Sequence, residues 1–169
     1  MCIVVDTNSL AHVFKLHSER HAEFRPVLDW VIQGKGKFVY GGTKYLGEIT
    51  SYLRIFTELS RIRKAIKIDT EKVDEKSSWA GQQIQHKNFN DAHIVGLLMV
   101  SGCKLICSLD ETAYPFFTHR IFFPSPIGRP KIYRSHRNIN LLRDANIADV
   151  CRPVNKITVR EKEGLTIFQ

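Results

Sequence analysis

The sequence lacks most of the features that mark a membrane-bound, secreted or disulfide-built protein. No apolar run approaches the roughly 20 residues needed to cross a bilayer. The N-terminus, Met1-Cys2-Ile3-Val4-Val5-Asp6, has no basic stretch and meets an acid at once, so no secretory signal is expected. Cysteines are few, namely Cys2, Cys103, Cys107 and Cys151. If Cys103 and Cys107 share one strand they stand ~13 Å apart, beyond the reach of a disulfide. All four read as reduced and mostly buried, which points to a cytoplasmic protein. The chain shows no internal repeat, low-complexity segment or flexible linker. It also has no Gly-rich phosphate loop, no Ser/His/Asp hydrolase elbow and no Cys-x-x-Cys pair.

What is present is ordinary globular material. The 169 residues, 19.5 kDa in mass, fit one domain, with 43% hydrophobic and 25% charged residues. A chain of this length hides about 70% of its surface on folding and needs no staple, which excludes intrinsic disorder. The charge is less ordinary. Lys and Arg number 25 against 17 Asp and Glu, a net charge of +8 and a pI near 9.5. Such an excess attracts polyanions, of which nucleic acid is the commonest.

Periodicity places the elements. Cys2 to Val5 reads as a buried strand feeding a helix from about Leu10 through the turn-forming Asp6-Thr7-Asn8-Ser9. A second helix covers His21 to Gln33 and stops at Gly34. Lys37 to Tyr40 is strand-like and ends at Gly41-Gly42. The next helix is one stripe of Leu46, Ile49, Leu53, Phe56 and Leu59. A strand (Ala65 to Ile68) and a polar helix (about Thr70 to Gln85) follow. Asn90 then caps an apolar helix, Asp91 to Val100. Lys104 to Leu109 is a buried strand, and Ile121 to Phe123 a further short one. Residues 157–159 and 165–168 suggest a terminal hairpin. This alternation predicts an α/β three-layer sandwich around a mainly parallel sheet. Residues 1–124 form its core, and 125–169 an extension packed on the same domain.

Function in such a sheet gathers beyond the carboxyl ends of the strands. Asp6 and Asp110 each follow an apolar run, while Glu48 and Asp91 are placed in the first turns of helices. The helix from Asp91 runs ~16 Å at 1.5 Å per residue, and the strand to Asp110 returns ~20 Å. The two acids therefore come back together, and Glu48 starts just beyond a strand at the same edge. Each acid alone has a plain structural reading, as a cap, a turn former or a solvated side chain. As a set they need a countercharge, which Mg²⁺ or Mn²⁺ supplies through oxygen ligands. Such an ion also generates hydroxide beside a phosphodiester.

With Ile3-Val4-Val5-Asp6-Thr7-Asn8, Glu48, Asn90-Asp91-Ala92-His93-Ile94 and Leu105-Ile106-Cys107-Ser108-Leu109-Asp110 in this order, residues 3 to 123 resemble the PIN-domain ribonucleases. That family includes the toxins of prokaryotic toxin–antitoxin modules. The resemblance implies a metal-dependent endoribonuclease in which Asp6, Glu48, Asp91 and Asp110 hold Mg²⁺ or Mn²⁺, with Asn8 and Ser108 supporting the site. It also implies RNA, mainly single-stranded, as substrate, an antitoxin as partner in the toxin case, and a homodimer.

Arg120, Arg129, Lys131, Arg134, Arg137 and Arg143 lie in an acid-free stretch between Thr112 and Arg143, interleaved with Tyr114, Phe116, Phe117, Phe122, Phe123 and Tyr133. Of these Arg120, Arg129, Lys131, Arg134 and Arg137 read as nucleic-acid contacts through phosphate, and the aromatic rings more as core than as stacking platforms. Arg61, Arg63, Lys64 and Lys67 read as the charged end of a helix. His17 and His21, four residues apart, read as an exposed helix face, and His93 as structural or supporting. Two other functions compete. A catalytically silent RNA-binding module keeps the fold without turnover. A phosphatase of the haloacid-dehalogenase type wants a second acid two residues after Asp6, where Asn8 stands.

Overall fold

The computed structural model describes residues 2–143 and 148–165. Five parallel strands form one sheet in the order β3-β2-β1-β4-β5. They are β1 (Cys2–Val5), β2 (Lys37–Tyr40), β3 (Ala65–Lys67), β4 (Leu105–Cys107) and β5 (Lys131–Tyr133). Every residue of β1, β2 and β4 is buried, which explains runs that are apolar, apart from Lys37, in place of alternation. The fold is the α/β sandwich with a parallel sheet that the sequence predicts.

The chain steps outward from β1 to β2 and β3, then crosses back over β1 to β4. Helices α1 (Leu10–Phe14), α2 (His21–Gln33), α3 (Thr43–Glu48) and α4 (Leu53–Arg61) belong to the outward steps, and α5 (Thr70–Gln83) and α6 (Ala92–Ser101) to the return. Right-handed crossovers in opposite directions put the two groups on opposite faces. On the first face Phe14, Phe38 and Phe56 meet edge to face, with centroids 5.4–6.0 Å apart. On the second, α5 and α6 touch backbone to backbone at Gly96. A Cβ there would lie 2.7 Å from the Ser77 nitrogen and 2.8 Å from the Val73 oxygen.

Several local expectations are corrected. The stripe from Leu46 to Leu59 is two helices, α3 and α4, joined by a 3-10 turn at Thr50–Tyr52. Glu48 therefore ends α3 and does not begin a helix. Asp91, not Asn90, occupies the N-cap of α6, and Gly102 closes that helix in the left-handed region at φ 61°. Ile121 to Phe123 is a turn after α7 (Tyr114–Phe117) that tucks Phe122 and Phe123 into the core. The fifth strand comes instead from Lys131–Tyr133, beyond residue 124.

Near the C-terminus, α8 (Val159–Glu163) replaces the first strand of the expected hairpin. Thr158 and Glu161 exchange hydrogen bonds in a capping box that starts this helix. The expected second strand falls mostly on 166–168, outside the described residues. His21 is buried and donates from Nδ1 to the His12 carbonyl at 2.9 Å, so it ties α2 to α1 and shares no exposed face with His17. Lys64 is fully buried and not part of a solvated patch. All four cysteines are unpaired and buried. Among the described residues no helix is long and apolar enough to cross a membrane.

Candidate active site at the sheet switch point

Because the chain leaves β1 toward β2 on one side and reaches β4 on the other, a crevice opens between the carboxyl ends of β1 and β4. Val5 stands opposite Cys107 in register, and the Asp6 amide donates to the Cys107 carbonyl at 2.8 Å. The next residue on β4 completes the link. Ser108 Oγ donates to Asp6 Oδ2 at 2.6 Å and accepts from the Asp110 amide at 3.1 Å. One buried hydroxyl thus fixes the first acid and the turn that carries the last.

Glu48 reaches the crevice by a different route. The Tyr45 hydroxyl donates to the Val5 carbonyl at 2.6 Å and pins α3 over the end of β1. Glu48, one turn later, accepts at Oε2 from His93 Nε2, 3.1 Å away. Burial lowers the His93 pKa, so the ring is neutral near pH 7, with its proton on Nε2. Among the described residues Nδ1 is left as a buried acceptor without a partner. Lys44 lies 4.0 Å from Glu48 Oε1 and donates to the Asn90 carbonyl at 2.8 Å, which joins α3 to the segment before Asp91.

The electrostatics register this convergence. Asp6 is only 4% exposed, and burial, with Asp91 and Asp110 adding repulsion, pushes its carboxyl up to about 6 against the lowering bond from Ser108. Burial also raises Asp91. His93 and Lys44 offset part of that rise, and Asp110 and Glu48 add to it. Asp6 thus feels Asp91 and Asp110, and Asp91 feels Asp110 and Glu48.

They do not form a closed cage. Among the described residues no three His, Cys, Asp or Glu side chains are grouped closely enough to hold a metal ion as they stand. Asp110 Oδ1 is already an acceptor for the Thr112 amide and hydroxyl, at 2.9 and 2.6 Å. The donor set is nonetheless all hard oxygen, and its negative charge is only partly offset. That fits an ion which keeps several waters, as Mg²⁺ does, better than one enclosed by protein ligands.

The predicted supporting residues separate. Ser108 bonds directly to Asp6. Asn8 is exposed, its Oδ1 accepts from the Ser9 hydroxyl at 2.9 Å, and among the described residues it bonds to none of the four acids. Tyr45 and Lys44 escaped sequence reasoning, and Tyr114 stood out there only as one of the interleaved aromatic residues. Lys44 carries a faint signal in its i, i+4 spacing to Glu48, whereas the bonds from the two tyrosines to carbonyls exist only in three dimensions.

The five predicted nucleic-acid contacts separate as well. Arg134 and Arg137 follow the carboxyl end of β5 and so share the rim of the acids. Lys131 opens β5 opposite Leu105, at the amino end of the strand. Arg129 Nε donates to the Phe123 carbonyl at 3.1 Å and anchors its own loop, while Arg120 is exposed in the turn after α7. Phe116, Phe117, Phe122, Phe123 and Tyr133 are buried and cannot stack on bases. No protein-family model, curated protein or solved structure matches the chain significantly.

Proposed function

We propose that the protein is a metal-dependent endoribonuclease. The observation that carries this reading is Asp6, a buried carboxyl at the switch point of the sheet, crowded by Asp91 and Asp110 and oriented by Ser108. Structural carboxylates are normally paired with cations, whereas four converging acids with, among the described residues, Lys44 and a neutral His93 beside them suit a hard cation and a phosphate. Asp6, Asp91 and Asp110 would hold the ion directly, and Glu48 would act from the far side of Asp91. When bound, the ion supplies the countercharge and an activated water for attack on phosphorus.

The chain's own groups do the rest. Ser108 holds the Asp6 carboxylate in one orientation, and His93 with Lys44 does the same for Glu48. Arg134 and Arg137 attract the RNA backbone to the rim. The resemblance to PIN-domain toxins extends the proposal to a homodimer and to an antitoxin that covers the acidic rim, for example with an inserted Arg.

The test is cleavage of labelled single-stranded RNA with Mg²⁺ or Mn²⁺, with EDTA, and by Asp6→Asn with metal. Cleavage that needs metal and disappears in Asp6→Asn is expected. A second reading, an RNA-binding module without turnover, is favoured by the open spacing of the acids. Binding without cleavage under every condition would establish it instead.

A further inference from the structure

Beside the acids lies an open cleft of about 810 Å³, bounded by α2, the turn after β4 and the segment after β5. Its size is within the usual range of small-molecule sites, about 300–1,000 Å³. Leu109 and Glu111, the neighbours of Asp110, form one wall, so cleft and crevice are contiguous. Tyr114 lines it too, and its hydroxyl donates at 2.8 Å to the carbonyl of Ser108, the residue that orients Asp6. The Arg134 guanidinium sits over the Tyr114 ring, 5.7 Å from the centroid.

The charges in the cleft are unequal. Arg20 is neutralised by a two-pronged pair with Glu23, both bonds 3.0 Å long. Arg134 and Arg137 are exposed, and among the described residues neither has a carboxylate within ion-pair distance. Glu23 also feels His136 and Arg137 across the cleft, and Glu111 is the second acid in its lining. One guanidinium stacked on an aromatic ring, Arg134, and a second beside it, Arg137, match a phosphate joined to a flat, unpaired ring.

Building on the nuclease reading of the adjoining acids, we infer that this cleft binds one unpaired nucleotide next to the phosphodiester that is cut. Arg137 and Arg134 engage its phosphate, and its base lies against the guanidinium stacked on Tyr114. A base in a duplex has both faces covered by its neighbours, so the cleft would select single strands.

Fluorescence anisotropy of a labelled single-stranded RNA and its duplex, in EDTA to prevent cleavage, tests this with the wild type and with Arg134→Ala, Arg134→Lys and Arg137→Ala. Arg134→Ala should bind single strands about tenfold more weakly, with Arg134→Lys recovering only part, since an ammonium keeps the charge without the planar face. Arg137→Ala should lower the salt dependence by about 0.7, one phosphate contact on a single strand. The wild type should bind the duplex more weakly than the single strand.

Unchanged affinity and salt dependence in both alanine variants, or equal affinity for the duplex, would overturn the assignment. Metal-dependent cleavage by the wild type alongside unchanged binding in the variants would overturn the cleft and leave the nuclease standing. Weakened binding in the variants of a protein that never cleaves would support the cleft and remove the nuclease.

Discussion

Asp6 shows how much of this site is held at the scale of single side chains. Its carboxyl is raised by burial to about 6 from an ordinary 3.8, so the folded state binds that proton more tightly than the unfolded chain does. The resulting stabilisation is complete below about pH 4 and is lost as the pH rises through 6. In metal-free protein, Asp6→Asn removes a cost on the order of 3 kcal/mol at pH 7.5, and Asn can still accept from Ser108. Urea denaturation should find the variant more stable than wild type at pH 7.5, with the difference vanishing near pH 4. Ser108 works in the opposite direction, because its hydroxyl lowers the Asp6 pKa. Ser108→Ala should move the acid limb of the cleavage pH profile to higher pH, while binding of RNA in EDTA is unchanged.

At the scale of elements, the site depends on helices held at fixed heights over the sheet. α6 carries Asp91 and His93, and its position is set by its contact with α5 at Gly96. Gly96→Ala places a methyl against the α5 backbone and should cost about 1–3 kcal/mol in chemical denaturation. Gly47→Ala is the control, since nothing lies within 4 Å of its added Cβ and it sits inside the short helix α3. It should be neutral or stabilising by about 0.5–1 kcal/mol. The split of the Leu46 to Leu59 stripe into α3 and α4 belongs to this scale. Period alone does not reveal a 3-10 turn, around which Ile49, Phe56 and Leu59 are buried and Leu53 is exposed. Tyr45, bonded to Val5, fixes where α3 lies and so where Glu48 points.

For the whole molecule, the tail closes the edge of the sheet opposite the site. Lys37 and Lys64, both buried, donate to the carbonyls of Pro153 and Asn155 at 2.7 Å, and Asn155 Nδ2 donates back to the Ile62 carbonyl at 3.2 Å. Lys64 also donates to the Gly34 carbonyl at 2.8 Å. Cys151 is fully buried in the same region. Removing residues 151–169 takes acceptors from two buried ammonium groups and should destabilise the protein by at least about 3 kcal/mol. Thermal melts of the truncated chain should recover part of that loss on adding Lys64→Met, which removes one of the two buried charges and keeps the bulk.

The sequence by itself determined the alternation of strands and helices, the parallel sheet, and the four acids at strand and helix ends. These follow from local period and from the chain's short reach between neighbouring elements. Tertiary structure decided the rest. The strand at Lys131–Tyr133 is too short to declare itself until it pairs with β4, whereas Ile121 to Phe123 is apolar because it is buried in a turn. Lys64 reads as a surface charge until the tail covers it. Ser108 acquires Asp6 as its partner only when β1 and β4 become neighbours, because a hydrogen bond between residues 102 positions apart leaves no trace in local pattern.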